Sequence, residues 1–113
     1  MAWHEAGQLT LRITIQENDT AITITLEGRV AGPWIAELSN AWREIAPKLS
    51  NRRLSIDLRN VIYSEPQGKQ VLREIYAQTH ATLVATTPWT EYLAQEITRS
   101  SDTNQEAGNG NHA

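Results

Sequence analysis

The run Asp57-Leu58-Arg59-Asn60-Val61-Ile62-Tyr63-Ser64-Glu65-Pro66-Gln67-Gly68 gathers two carboxylates, a hydroxyl, an amide, a proline and a glycine in one connection. It leads from a strand pattern into a helix pattern, and in α/β sheets the segments leaving the carboxyl ends of strands build the functional site. Glu27, Asp57 and Glu65 all fall at strand ends and can converge, but no nucleophile or base accompanies them. Acid–base catalysis needs a perturbed, paired titratable group in a pocket, and neither a Ser-His-Asp set nor a Gly-rich phosphate loop is present. The chain is therefore read as non-enzymatic. Asp57 is read as a loop-supporting acceptor, with cation binding or partner orientation as the alternative. Ser64 stands three residues before Gln67, the spacing of a capping box, so it is read as a helix cap; Pro66 at the first turn is a second way to start the same helix. Gly68 is read as allowing the helix to approach a neighbour closely, since a phosphate cradle wants more glycines.

Other titratable groups offer less. His4, His80 and His112 fall in the leader, at a helix end and in the tail, without metal-ligand spacing, so no metal or cofactor is expected. The absence of cysteine excludes disulfides, thiolate catalysis and Cys-based zinc. A net charge of −3 argues against a nucleic-acid partner, despite a local excess of basic residues from Arg43 to Arg73 that reads as a solvated helix face. No apolar run is long enough to cross a bilayer, and the N-terminus lacks the pattern of a signal peptide, which predicts a cytoplasmic protein without membrane insertion. With 113 residues, the chain fits one domain. Residues 1–8 read as a leader, 9–97 as the domain and 98–113 as a disordered polar tail. Trp3 in the leader is read as a local packing contact, with an oligomer contact as the alternative.

The elements that would position the 57–68 run follow from periodicity. Leu9, Leu11, Ile13 and Ile15 alternate with polar residues, as do Ile22, Ile24 and Leu26, and the turn-forming Glu17-Asn18-Asp19-Thr20 between them predicts a hairpin. Leu54-Ser55-Ile56-Asp57-Leu58 repeats the alternation, and Thr82 to Ala85 forms a short fourth strand. Trp34, Leu38, Ala41, Trp42, Ile45 and Leu49 share one face of a first helix, which should stop near Pro47. Val71, Leu72, Ile75 and Tyr76 make the stripe of a second helix. Trp89, Tyr92, Leu93 and Ile97 point inward from a third that opens at Thr87-Pro88. The order β-β-α-β-α-β-α predicts an N-terminal hairpin followed by right-handed βα crossovers. Strands buried on both faces would be apolar throughout; these alternate, so the fold is predicted to be a two-layer α/β structure with a mixed sheet and its helices mainly on one face. Thr14, Thr23, Thr25 and Ser55 then line an outer face.

In this frame the chain resembles the STAS domain, the module of anti-sigma factor antagonists and of the cytoplasmic tails of sulfate transporters. Asp57-Leu58-Arg59-Asn60-Val61 resembles the family's Asp-Leu-Ser-Gly-Val strand exit, and Glu65-Pro66-Gln67-Gly68 its Asp-Ser-Ser-Gly helix opening. Leu26-Glu27-Gly28-Arg29-Val30 is similar to its Leu-x-Gly-Glu-Leu, and Thr86-Thr87-Pro88 to its Gly-x-Ser-Pro. The resemblance spans roughly residues 9–97. It implies a bacterial module of transcription regulation and signalling that docks a regulatory protein, an anti-sigma factor or a sensor kinase. The contact would be Ser64, Glu65, Pro66, Gln67, Gly68 and Lys69. In the antagonists the second serine of Asp-Ser-Ser-Gly is phosphorylated by the partner kinase; here that position is Gln67, which has no hydroxyl. The resemblance thus implies a degenerate phosphosite, with Ser64 as the alternative phosphoacceptor, and a chain that lacks the family's final strand and helix. A small-molecule or nucleotide-binding STAS-like sensor is the alternative function. Trp3 and the threonine face leave a homodimer open.

Overall fold

Three of the strands keep the alternation the sequence predicts, and the fold follows from it. A computed structural model describes the backbone of residues 11–110 and the side chains of residues 11–99; the leader with Trp3 and His4, Leu9 of the first strand pattern, and residues 111–113 with His112 fall outside the described residues. Strand β1 (Leu11–Glu17) runs antiparallel to β2 (Ala21–Val30), joined by a turn in which Asn18 Oδ1 accepts the N–H groups of Thr20 and Ala21. Helix α1 (Trp34–Leu49) crosses to β3 (Arg53–Ser64), α2 (Pro66–Thr79) to β4 (Thr82–Val84), and α3 (Pro88–Gly110) closes the order. The sheet reads β1-β2-β3-β4, with β2, β3 and β4 parallel.

Ile22, Ile24, Leu26, Leu54, Ile56 and Leu58 are buried on one face, against Leu38, Trp42, Ile45, Leu72, Ile75, Leu93 and Ile97 from the helices. α2 lies between the other two helices and touches both. On the other face Arg12, Thr14 and Gln16 are exposed, and Thr23, Thr25 and Ser55 are half-buried. This is the two-layer α/β arrangement with a mixed sheet that the alternation predicts.

Two local expectations, the end of β3 and the orientation of Tyr92, are corrected, and the ends of two helices are located. Strand β3 does not give way to a loop at Asp57: it runs on to Ser64, because Val61-Ile62-Tyr63 favours extended backbone and the end of β2 pairs with it. Helix α1 stops near Pro47, as the sequence predicts, with Leu49 its last residue. A proline in the last turn removes a single N–H, and the terminal carbonyls of Lys48 and Leu49 are satisfied by the Arg52 side chain and backbone N–H. Helix α3 runs past residue 97 to Gly110. Once nucleated, a helix gains one bond per added residue, and no proline or glycine intervenes before Gly108. Tyr92, expected inward, is 50% exposed, because the inward face of α3 is filled by Leu93 and Ile97.

Candidate docking site at the carboxyl end of the sheet

The β3–α2 connection is shaped by two bulges. From Thr25–Asp57 to Glu27–Asn60, β3 advances three residues against two of β2; from Gly28–Val61 to Arg29–Tyr63 it advances two against one. Each extra residue breaks the two-residue period. Burial accordingly passes from Leu54, Ile56 and Leu58 to Val61 and then to Ser64, leaving Ile62 62% and Tyr63 40% exposed.

Asp57 sits under the first bulge. Its Oδ1 accepts the Arg59 N–H and the Arg59 Nε, each at 3.0 Å, and its Oδ2 accepts Arg59 Nη2 at 2.8 Å. These donors, the guanidinium first, hold the Asp57 carboxyl below the usual carboxylate range against the opposing effect of burial, and Arg59 is raised in return. The carboxylate is fully engaged with Arg59 and binds the backbone of its own strand.

Ser64 closes the second bulge and is buried. It does not cap α2. Glu65 is the N-cap residue, with Pro66 following in the first turn, and the Ser64 hydroxyl donates to the Glu65 carbonyl at 3.1 Å. The Ser64–Gln67 capping box is therefore not formed: a proline directly after Glu65 already presets the first helical turn. The Glu65 carboxylate reaches back to accept the Gly32 N–H at 3.2 Å, and the Glu65 N–H donates to the Val30 carbonyl, which ties the start of α2 to the end of β2.

Gly68 lies where α2 presses on β2. A Cβ here would stand 2.5 Å from Val30 Cγ1 and 2.9 Å from both Ser64 Oγ and the Val30 carbonyl oxygen. Only glycine permits this contact. With Gly68 inward, Pro66 and Gln67 face solvent and Lys69 is half-buried. The Lys69 ammonium lies 5.8 Å from the Tyr92 ring centre, and the Arg29 guanidinium 4.7 Å from that of Tyr63. Trp89 leans under this surface and donates its Nε1–H to the Val61 carbonyl at 2.8 Å. Helix α3 itself starts from a reciprocal cap, the N–H of Thr90 donating to Thr87 Oγ1 and that of Thr87 to Thr90 Oγ1.

The six residues expected at the contact thus share one place but divide in two. Pro66 and Gln67 are presented outward, with Lys69 at their flank. Ser64, Glu65 and Gly68 fix the backbone beneath them. Sequence reasoning missed Ile62 and Tyr63, which are exposed at the end of β3, and Tyr92, whose exposed ring the Lys69 ammonium approaches. The adjacent pair Ile62-Tyr63 was the available signal, since a two-residue period cannot bury both. Among the described residues no three histidine, aspartate or glutamate side chains gather to hold a metal ion, and no helix is long and apolar enough to cross a membrane.

A mixed four-stranded sheet with a leading hairpin and three helices is the arrangement of the STAS fold. Among solved structures, the chain is similar to the crystal structure of an anti-sigma factor antagonist from Mycobacterium paratuberculosis, with a TM-score of 0.68 and 19% identity, covering 83% of this chain and 82% of that one. At that identity the likeness shows the fold. No protein-family model matches the chain, and no curated protein matches it in sequence.

Proposed function

We propose that this chain is a non-enzymatic protein-interaction module of the anti-sigma factor antagonist type, docking a regulatory partner through the end of β3 and the start of α2. The observation that carries the reading is the division of labour at this turn. Ser64, Glu65 and Gly68 hold its backbone from below, while Pro66 and Gln67 stand exposed, the end of β3 leading into them exposes Ile62 and Tyr63, and Lys69 approaches the exposed ring of Tyr92. A rigid backbone that displays apolar and aromatic side chains loses little entropy when a partner covers it. The partner's class, an anti-sigma factor or sensor kinase, comes from the structural likeness to an antagonist.

Regulation differs from that of a phospho-switched antagonist. Phosphorylation would add about −1.5 to −2 charges at this helix start and repel a docked surface. Gln67 offers no hydroxyl, and the Ser64 hydroxyl is buried under the turn. Binding is therefore set by the abundance of the partner.

The test is binding of purified anti-sigma factors and sensor kinases encoded beside this gene, by titration calorimetry, to the wild type, Gln67→Asp and Ile62→Asp. A charge left unpaired in a desolvated contact should weaken binding at least tenfold, about 1.4 kcal/mol. Both positions are exposed, so the thermal midpoint should stay near that of the wild type. A partner that binds all three equally docks elsewhere.

A further inference from the structure

We infer that the cleft at the amino ends of β2 and β3 is an anion site that takes a phosphorylated sugar, its phosphoryl group held by Lys48 and Arg53. The cleft lies at the opposite end of the sheet from the docking turn, and the inference does not rest on that reading.

The basic stretch from Arg43 to Arg73 leads to it. Its seven cations do not share a helix face but are spread over α1, the β3 strand with the turn before it, and α2. Four are engaged inside the molecule: Arg43 with Ser39 and Asn40, Arg52 with Glu17, Arg59 with Asp57, and Arg73 with Glu96. Lys69 lies over the Tyr92 ring. Lys48 and Arg53 remain, both exposed and without a side-chain partner among the described residues. Both line the same cleft, of about 860 Å³, together with Asp19, Ser50 and Asn51. Like charges on one cleft repel each other, and an anion bound by both removes that repulsion.

The turn that lines the cleft is strained. Ser50 has φ 54° and ψ −126°, a conformation that favours glycine, and the Arg52 N–H closes the turn on the Leu49 carbonyl at 2.9 Å. Strain of this kind persists where the surroundings fix it, and it gathers at binding sites. The Ser50 hydroxyl donates to Asn51 Oδ1 at 3.2 Å, so the group Asn51 has left for a ligand is its N–H₂. The carbonyls that end α1 do not oppose an anion here. Arg52 takes that of Lys48 with Nη2 and that of Leu49 with its N–H.

The ligand's chemistry follows from these groups. An ammonium, a guanidinium and an amide N–H₂ are three separate donors. A phosphoryl group brings three strong acceptor oxygens and about −1.5 to −2 charges to meet them. Asp19 selects what carries the phosphoryl group: its carboxylate repels a bare anion and accepts from a hydroxyl, so the fitting ligand bears hydroxyls beside its phosphate. A phosphorylated sugar has both, and the cleft falls in the range of small-molecule sites, roughly 300–1,000 Å³.

Amide-resolved NMR titration of the full chain tests this, with ribose 5-phosphate, with inorganic phosphate and with sodium chloride at matched ionic strength. Ribose 5-phosphate should give saturable shifts at Thr20, Ser50, Asn51 and Arg53, and should bind more tightly than inorganic phosphate. Lys48→Gln and Arg53→Gln should each weaken it about tenfold, the loss of one charge-assisted bond. Asp19→Ala should bring the two phosphates to equal affinity. All three positions are exposed, so the thermal midpoint should stay near that of the wild type. Shifts that chloride reproduces, that fail to saturate, or that survive both Lys48→Gln and Arg53→Gln overturn the inference. Inorganic phosphate binding the wild type as tightly as ribose 5-phosphate overturns the assignment to a sugar.

Discussion

At the amino ends of β2 and β3, the contact that holds the elements together is polar. Arg52 Nη1 donates to Glu17 Oε1 at 3.0 Å and to the Asn18 carbonyl at 3.1 Å, while Nη2 donates to the Lys48 carbonyl. One guanidinium thus fastens the hairpin turn, the end of α1 and the start of β3. At the carboxyl ends the glycine contact on Val30, the two bulges and the Trp89 bond to Val61 share the task with the Glu65 carboxylate, which accepts the Gly32 N–H. Ile62, Tyr63, Pro66 and Gln67 are left exposed there. The difference shows how a small sheet separates holding from presenting: one guanidinium gathers three elements at one end, and at the other steric fit shares that work with Glu65 and leaves neighbouring side chains exposed.

Substitutions separate these two means. Gly68→Val should have the largest effect. It forces a branched side chain into the space of Val30 and Ser64, an overpacking expected to cost about 1–3 kcal/mol in urea denaturation and to lower partner binding as the turn is displaced. If it is neutral, α2 does not bear on β2 as described. Arg52→Met should cost less, about 1–2 kcal/mol, since it removes charge-assisted bonds that are partly open to solvent. It should leave partner binding unchanged, because its effect is confined to the amino end. Loss of binding by Arg52→Met at full folding would break the separation.

The smallest effect belongs to Asp57, and its sign is fixed. The folded carboxyl titrates below its unfolded counterpart, so its stabilising contribution is present above the ordinary aspartate range and disappears as pH falls through the lowered value. Asp57→Asn should therefore make stability less dependent on pH in the acid range while reducing it modestly near neutrality. An unaltered acid profile would show that the bulge does not depend on this carboxylate.

How far these features can be read from sequence depends on how local their causes are. The strands and the helical stripes are periodic, and Leu54, Ile56, Leu72 and Ile75 declare their buried face by spacing alone. Gly68 is legible as a place of close approach, although the neighbour is not, because Val30 meets it across 38 residues of chain. The bulges are hidden. Asn60-Val61-Ile62-Tyr63 has no regular alternation, so its extended pairing with β2 looks like a loop. Tyr92 misleads for a related reason: its apolar ring fits the helical stripe, but Leu93 and Ile97 already occupy the inward positions.

The bulges have one more effect. The first slips the inside–outside phase of β3 by one residue and the second slips it again, so the two cancel by Ser64. Only the short interval between them is inverted. Residues there behave as a cassette: their identities can be exchanged without disturbing the phase of the residues on either side. A scaffold built this way can acquire a new binding preference by rewriting Ile62 and Tyr63 while its interior stays the same.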